Sequence, residues 1–77
     1  MQQDVGINYG VDFERAHERL SHIAGRLFRQ YREAKHGNAN EEAIARLRQA
    51  YVDVQREQEA LSPRDAVAIQ AVLAKSA

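Results

Sequence analysis

The sequence contains no cysteine and only one proline among its 77 residues. Without cysteine the chain can form no disulfide and offers no thiolate ligand to a metal, so neither can stabilise so short a chain. No apolar run is long enough to cross a bilayer, and no basic segment followed by an apolar one opens the chain as a signal peptide. We therefore expect a cytoplasmic protein of one domain that has no contact with a membrane.

A net charge is absent as well, because eleven Lys and Arg balance eleven Asp and Glu. This balance provides no overall attraction to nucleic acid or to an anionic membrane. The charges are nevertheless unevenly distributed. Residues 13–36 carry six basic against three acidic side chains, whereas residues 41–61 carry five acidic side chains against three arginines. The opposite signs of these two segments favour packing of one against the other.

Two stretches show the 3-4 spacing of apolar residues that is typical of an amphipathic helix. The first covers residues 13–36 and is followed by Gly37, a common helix terminator. The second covers residues 41–61, with Asn40 as its N-cap. It ends before Pro63, because proline disfavours a helical conformation of the residue that precedes it. The connection between the two helices is short, so they are predicted to form an antiparallel hairpin.

The pairing within this hairpin follows from the sequence, because positions whose numbers add up to about 77 should face each other. Every layer is then apolar on both sides, except the one in which Leu20 meets Gln58. The apolar layers are Ala34 with Ile44, Tyr31 with Leu47, Leu27 with Tyr51, Ile23 with Val54, and Ala16 with Leu61.

The two ends of the chain are predicted to differ. Ser62 and Pro63 suit the N-cap and the first position of a helix, so a third, shorter helix is predicted over residues 63–75. In residues 1–12, apolar side chains alternate with polar ones or glycine, which predicts a flexible or extended arm. The predicted fold is therefore all-α. A long antiparallel hairpin and a short third helix make up one helical domain over residues 13–77, after an extended N-terminal arm.

Two residue patterns have the spacing of a site of chemistry. Glu14 and His17 have the E-x-x-H spacing that supplies two ligands to one metal in di-iron bundles, but Glu14 lies off the apolar stripe. His17 and Ser21 lie one helical turn apart, yet the sequence supplies neither an orienting acid nor an oxyanion hole. We therefore expect no catalytic residue, no metal site and no cofactor, and we predict that the protein is not an enzyme.

A row of basic residues on the first helix supports an alternative function. These residues lie beside the apolar stripe, where they could follow a phosphate backbone. Glu18 and Glu33 lie next to the row and weaken its positive potential. The alternative is a nucleic-acid-binding accessory protein that uses Arg15, Arg19, Arg26 and Arg29.

Apolar residues outside the hairpin seam form the leading candidate site. Between residues 66 and 74 only Gln70 is polar, and a two-helix hairpin offers one groove, which buries about half of such a helix. We therefore predict a non-catalytic protein–protein interaction module: a small regulator, adaptor, inhibitor or antitoxin-like subunit that forms a homodimer, binds another protein, or does both. Its predicted binding surface consists of Ala24, Phe28, Val52, Val67, Ile69, Val72 and Leu73.

Overall fold

The computed structural model describes the backbone of residues 2–75 and the side chains of residues 10–75, and these residues form three α-helices and no strand. Helix α1 spans Gln2–His36, α2 spans Glu41–Ala60 and α3 spans Ala66–Leu73. The predicted all-α fold, a hairpin with a short third helix, is confirmed. Among the described residues, no helix combines the length and the apolar character that a membrane crossing requires.

The connection between α1 and α2 is a tight reversal. The backbone N–H of Gly37 donates to the carbonyl of Glu33 at 2.8 Å, which closes the last turn of α1. The residue with a left-handed conformation in this connection is Asn38, with a φ of 60°, and not Gly37, although a glycine that terminates a helix commonly adopts it. Asparagine adopts this conformation more readily than most other residues. Asn40 is the N-cap of α2, as predicted, because its side chain accepts a hydrogen bond from the N–H of Ala43 at 2.7 Å.

The register of the hairpin agrees with the predicted pairing. The side-chain amide of Gln58 donates to the hydroxyl of Ser21 at 2.6 Å and to the carbonyl of His17 at 3.2 Å, so Gln58 lies between positions 17 and 21 of α1. Leu20, which was expected to meet this polar residue, is fully buried instead. Gln58 therefore satisfies its hydrogen bonds at the edge of the seam and leaves the core apolar.

Helix α3 begins three residues later than predicted. Its N-cap is Asp65, whose side chain accepts from the N–H of Ala68 at 3.0 Å. Ser62 instead begins a turn, because its carbonyl accepts from the N–H of Asp65 at 3.1 Å. This turn reverses the chain, so that α3 lies against α1. The core consists of Ala16, Leu20, Ile69 and Val72, with Phe13, Ile23, Val54, Leu61 and Leu73 packed around it.

The predicted N-terminal arm is wrong, because α1 already begins at Gln2; Met1 lies outside the described residues. A lone strand would leave its backbone N–H and C=O groups without partners, whereas a helix pairs them within the segment. The sequence also fits a helix here, since Val5, Tyr9 and Phe13 follow one another at steps of four residues. Helix α1 therefore has 35 residues and a length of about 52 Å, against about 30 Å for the 20 residues of α2.

Candidate interaction surface

Three residues of the predicted binding surface are buried inside the chain. Ile69 and Val72 are each 1% exposed and belong to the core, and Ala24 is buried as well. The prediction that these three residues bind a partner is therefore wrong for the folded chain. Because α3 returns along α1, its buried side chains, Ile69 and Val72, pack against Ala16 and Leu20.

The end of α3 is held in place by a side chain of α1. The guanidinium of Arg19 donates to the carbonyl of Leu73 at 3.2 Å and to the carbonyl of Lys75 at 2.6 Å. A cation at this position satisfies terminal carbonyls and balances the partial negative charge at the end of a helix. The ammonium of Lys75 lies 3.7 Å from the carboxylate of Glu57, which connects the same segment to α2. Leu73, half-buried beneath these contacts, packs against the core.

The remaining residues of the predicted surface lie on different helices. Val67 of α3 is 82% exposed, and Val52 of α2 is half-buried in a shallow groove beside Arg48 and Arg56. Phe28 of α1 is 41% exposed. The structure therefore does not unite the predicted residues into one surface, and Phe28 has to be considered with its own neighbours.

Phe28 belongs to a cluster of aromatic and basic side chains near the hairpin loop. Its ring centroid lies 5.5 Å from that of Tyr51 and 6.4 Å from that of Tyr31. The guanidinium of Arg32 lies 6.0 Å from the Phe28 ring centroid, and the ammonium of Lys35 lies 5.3 Å from that of Tyr31. Both distances are within the range of cation–π attraction, which orders the two basic side chains over the aromatic rings.

Phe28 also lies on a row of exposed residues along α1, beside the hairpin seam, which we call the outer stripe. Its members follow one another at alternating steps of four and three residues, and every one of them is exposed. Shallow depressions of about 330, 370 and 370 Å³ follow one another along this row. The outer stripe consists of Glu14, Glu18, Ser21, Gly25, Phe28, Arg32 and Lys35.

The charges of the outer stripe are sorted by sign. Glu14 and Glu18 lie at its N-terminal end, and Arg32 and Lys35 lie at its C-terminal end. Among the side chains of residues 10–75, the ion pairs are Arg15 with Asp12, Arg46 with Glu42, and Lys75 with Glu57. Within this part of the chain, no charge of the outer stripe is neutralised by an ion pair. The apolar pattern of the sequence points to Phe28 alone on this surface, and the order of the charges is the signal for the other residues.

The four arginines of the alternative site are not equivalent. Arg19 is engaged at the end of α3, and Arg15 lies 3.8 Å from the carboxylate of Asp12. Arg26 and Arg29 are exposed. Only half of the predicted row is therefore placed to contact a phosphate backbone without giving up another interaction.

The residues considered for chemistry form no recognisable centre. Among the residues that the structure describes, no group of three or more His, Cys, Asp or Glu could hold a metal ion. The amide nitrogen of Gln58 lies 2.6 Å from the hydroxyl of Ser21 and 3.3 Å from Nδ1 of His17. This amide separates the two side chains that catalysis would require in direct contact.

Comparisons of the chain with known protein families, with curated proteins and with solved structures gave no match. The geometry of the chain itself is therefore what supports a function.

Proposed function

We propose that the chain is a non-catalytic protein–protein interaction module, a small cytoplasmic regulator, adaptor, inhibitor or antitoxin-like subunit, and that the outer stripe around Phe28 is its binding surface. One observation supports this proposal: Phe28 is 41% exposed, and the side chains of Arg32 and Tyr51 pack beside its ring. Protein interfaces are enriched in aromatic residues and arginine, and their strongest contributions come from such anchors.

The other exposed apolar residues provide less support for a binding surface. Val67 is exposed alone on the short helix α3, and Val11 is 48% exposed near the N-terminal end of α1. Single apolar residues on a surface are common in monomeric proteins and need no partner. Phe28 differs, because three further aromatic or basic side chains are already packed around it: Tyr31, Tyr51 and Arg32.

Nucleic-acid binding remains the alternative proposal, but it has weaker support. Of the four arginines that it requires, Arg19 would have to release the end of α3 before it could contact a phosphate. Glu18 and Glu33, which lie next to the arginine row, also repel a phosphate backbone.

The experiment that tests the proposed function compares two variants in affinity capture from an extract of the source cells. Phe28→Asp should lose the partner that the wild-type chain retains, because it places a charge at the centre of the surface. Val67→Asp is the matched control, since it changes a more exposed apolar residue outside the outer stripe and should retain the partner. Capture of the same proteins by both variants would contradict the proposal, and capture of nucleic acid that is released by salt would favour the alternative.

A further inference from the structure

We infer that the outer stripe binds a second copy of this chain, with the two α1 helices antiparallel and a two-fold axis beside Gly25. This inference rests on the proposed function, because it names the partner of the same surface. The stripe repeats steps of four and three residues from Glu14 to Lys35. That spacing is the one with which two helices pack side by side at a small crossing angle.

One register satisfies all layers of this pair at once. In an antiparallel pair, facing residues have numbers whose sum is constant, and a sum of about 50 aligns the outer stripe with itself. Gly25 then faces the Gly25 of the second copy, and Ser21 faces the aromatic ring of Phe28. At both ends of the interface an acid faces a base: Glu18 with Arg32, and Glu14 with Lys35.

The charges favour this register over the alternatives. The two-fold axis repeats each acid–base pair, so the dimer contains every pair twice. A parallel pair would place Glu18 on Glu18 and Arg32 on Arg32, which is repulsive. An antiparallel pair with a sum of about 46 would place the ring of Phe28 against the carboxylate of Glu18. The sum of about 50 gives an aromatic contact near the centre and two acid–base pairs at each end, whereas a sum of about 53 keeps only one such pair at each end, Glu18 with Lys35.

The centre of the stripe provides the space that close helices need. A Cβ atom added to Gly25 would meet nothing within 4 Å, so the single chain has no steric need for glycine there. Glycine in the interior of a helix destabilises the helix relative to alanine, so Gly25 lowers the stability of the isolated chain. Beside it, Ser21 is small as well. The ring of Phe28 from a second helix can therefore pack over the small residues Ser21 and Gly25, between the two charged ends of the stripe.

The first test reverses charges across the predicted interface. Glu18→Arg and Arg32→Glu should each weaken the dimer about tenfold or more, because each places two like-charged pairs in the interface. An equimolar mixture of the two variants should associate like wild type, because both acid–base pairs re-form between different chains. Glu59→Arg and Arg64→Glu are matched controls, exposed and outside the stripe, and should not change association. Sedimentation equilibrium provides the measurement.

The second test uses the central glycine. Gly25→Leu should keep the helical circular dichroism spectrum, because the single chain has room for the side chain, but it should lose the dimer. Since the sequence has no cysteine, Gly25→Cys introduces a single thiol and should form a disulfide between two chains on mild oxidation. Gln30→Cys, exposed on another side of α1, should keep a free thiol under the same conditions.

Several outcomes would overturn the inference. A wild-type chain that stays monomeric at all concentrations would do so, as would a dimer that is indifferent to Gly25→Leu or is not restored by mixing the two charge variants. These failures are distinct from failure of the proposed function. If the chain is monomeric but Phe28→Asp still loses a captured protein that Val67→Asp retains, the surface binds a different protein and only the second copy is wrong.

Discussion

Replacing Arg19 by alanine removes the side chain that connects the middle of α1 to the end of α3. Two hydrogen bonds are lost, to the carbonyls of Leu73 and Lys75. A hydrogen bond to a charged group contributes about 1.5–3 kcal/mol, and a cation at a helix C-terminus about 0.3–1 kcal/mol. Arg19 is only half-buried and one of the bonds is at the surface, so water screens part of this energy. We expect a loss of about 2 kcal/mol in the free energy of unfolding.

This loss should be measurable and local. It is a large fraction of the roughly 4–12 kcal/mol that a chain of 77 residues typically has. Urea unfolding followed by circular dichroism gives the free energy of unfolding, and amide hydrogen exchange shows where the protection is lost. The amides of α3 should exchange faster, whereas those in the hairpin seam of α1 and α2 should keep most of their protection.

Arg26→Ala is the matched control, because Arg26 is exposed on the same helix and its loss should change the free energy by less than about 0.5 kcal/mol. Arg19→Lys should lie between the wild type and Arg19→Ala, since an ammonium keeps the charge but not the planar shape of the guanidinium. If Arg19→Ala were as stable as Arg26→Ala and α3 kept its protection, the hydrogen bonds of Arg19 would contribute nothing, and the reasoning would be refuted.

Three further predictions concern the core, the cap and the binding surface. Leu20→Ala should lower the free energy of unfolding by about 3 kcal/mol, because Leu20 is fully buried; urea unfolding checks this, and a loss below about 1 kcal/mol would contradict the core assignment. Asp65→Ala should cost about 1 kcal/mol in the same assay and more than Ser62→Ala, because Asp65 is the N-cap of α3; the reverse order would favour the start predicted from sequence. Phe28→Ala should weaken association about 30-fold for each Phe28 that the interface buries, and a two-fold dimer buries two, because the exposed 41% of the residue corresponds to about 80 Å², or about 2 kcal/mol when buried. Sedimentation or titration measures this change, and an equal loss in Val67→Ala would contradict it.

The hairpin could be predicted from the sequence because its signals are local and independent of one another. The spacing of apolar residues defines both helices, Asn40 marks the start of the second, and the layer pairing fixes the register to within about one residue. The start of α3 could not be fixed in this way. Ser62 and Asp65 are both good N-caps, and the choice between them depends on the turn that returns α3 to α1.

The side of α3 that faces the core was not predictable either. The helix is apolar on nearly all sides, so its sequence has no pattern that separates inward from outward residues. Burial of Ile69 and Val72 follows from the position of α3 against Ala16 and Leu20, which is a long-range contact. For the same reason the interaction of Arg19 with the end of α3 was invisible in the sequence, where the row of arginines suggested a different use for it.

The bond between Arg19 and Leu73 connects residues 54 positions apart in the chain, whereas α1 and α2 are joined by a tight reversal. Contacts between residues that are close in sequence form quickly, and contacts that close a long segment form slowly, because more chain entropy is lost. We therefore expect the hairpin to fold first. Its contacts should form near the loop and then extend along the seam toward Gln58. We expect α3 to dock last. For the same reason, α3 should be the first helix to unfold when the chain is destabilised.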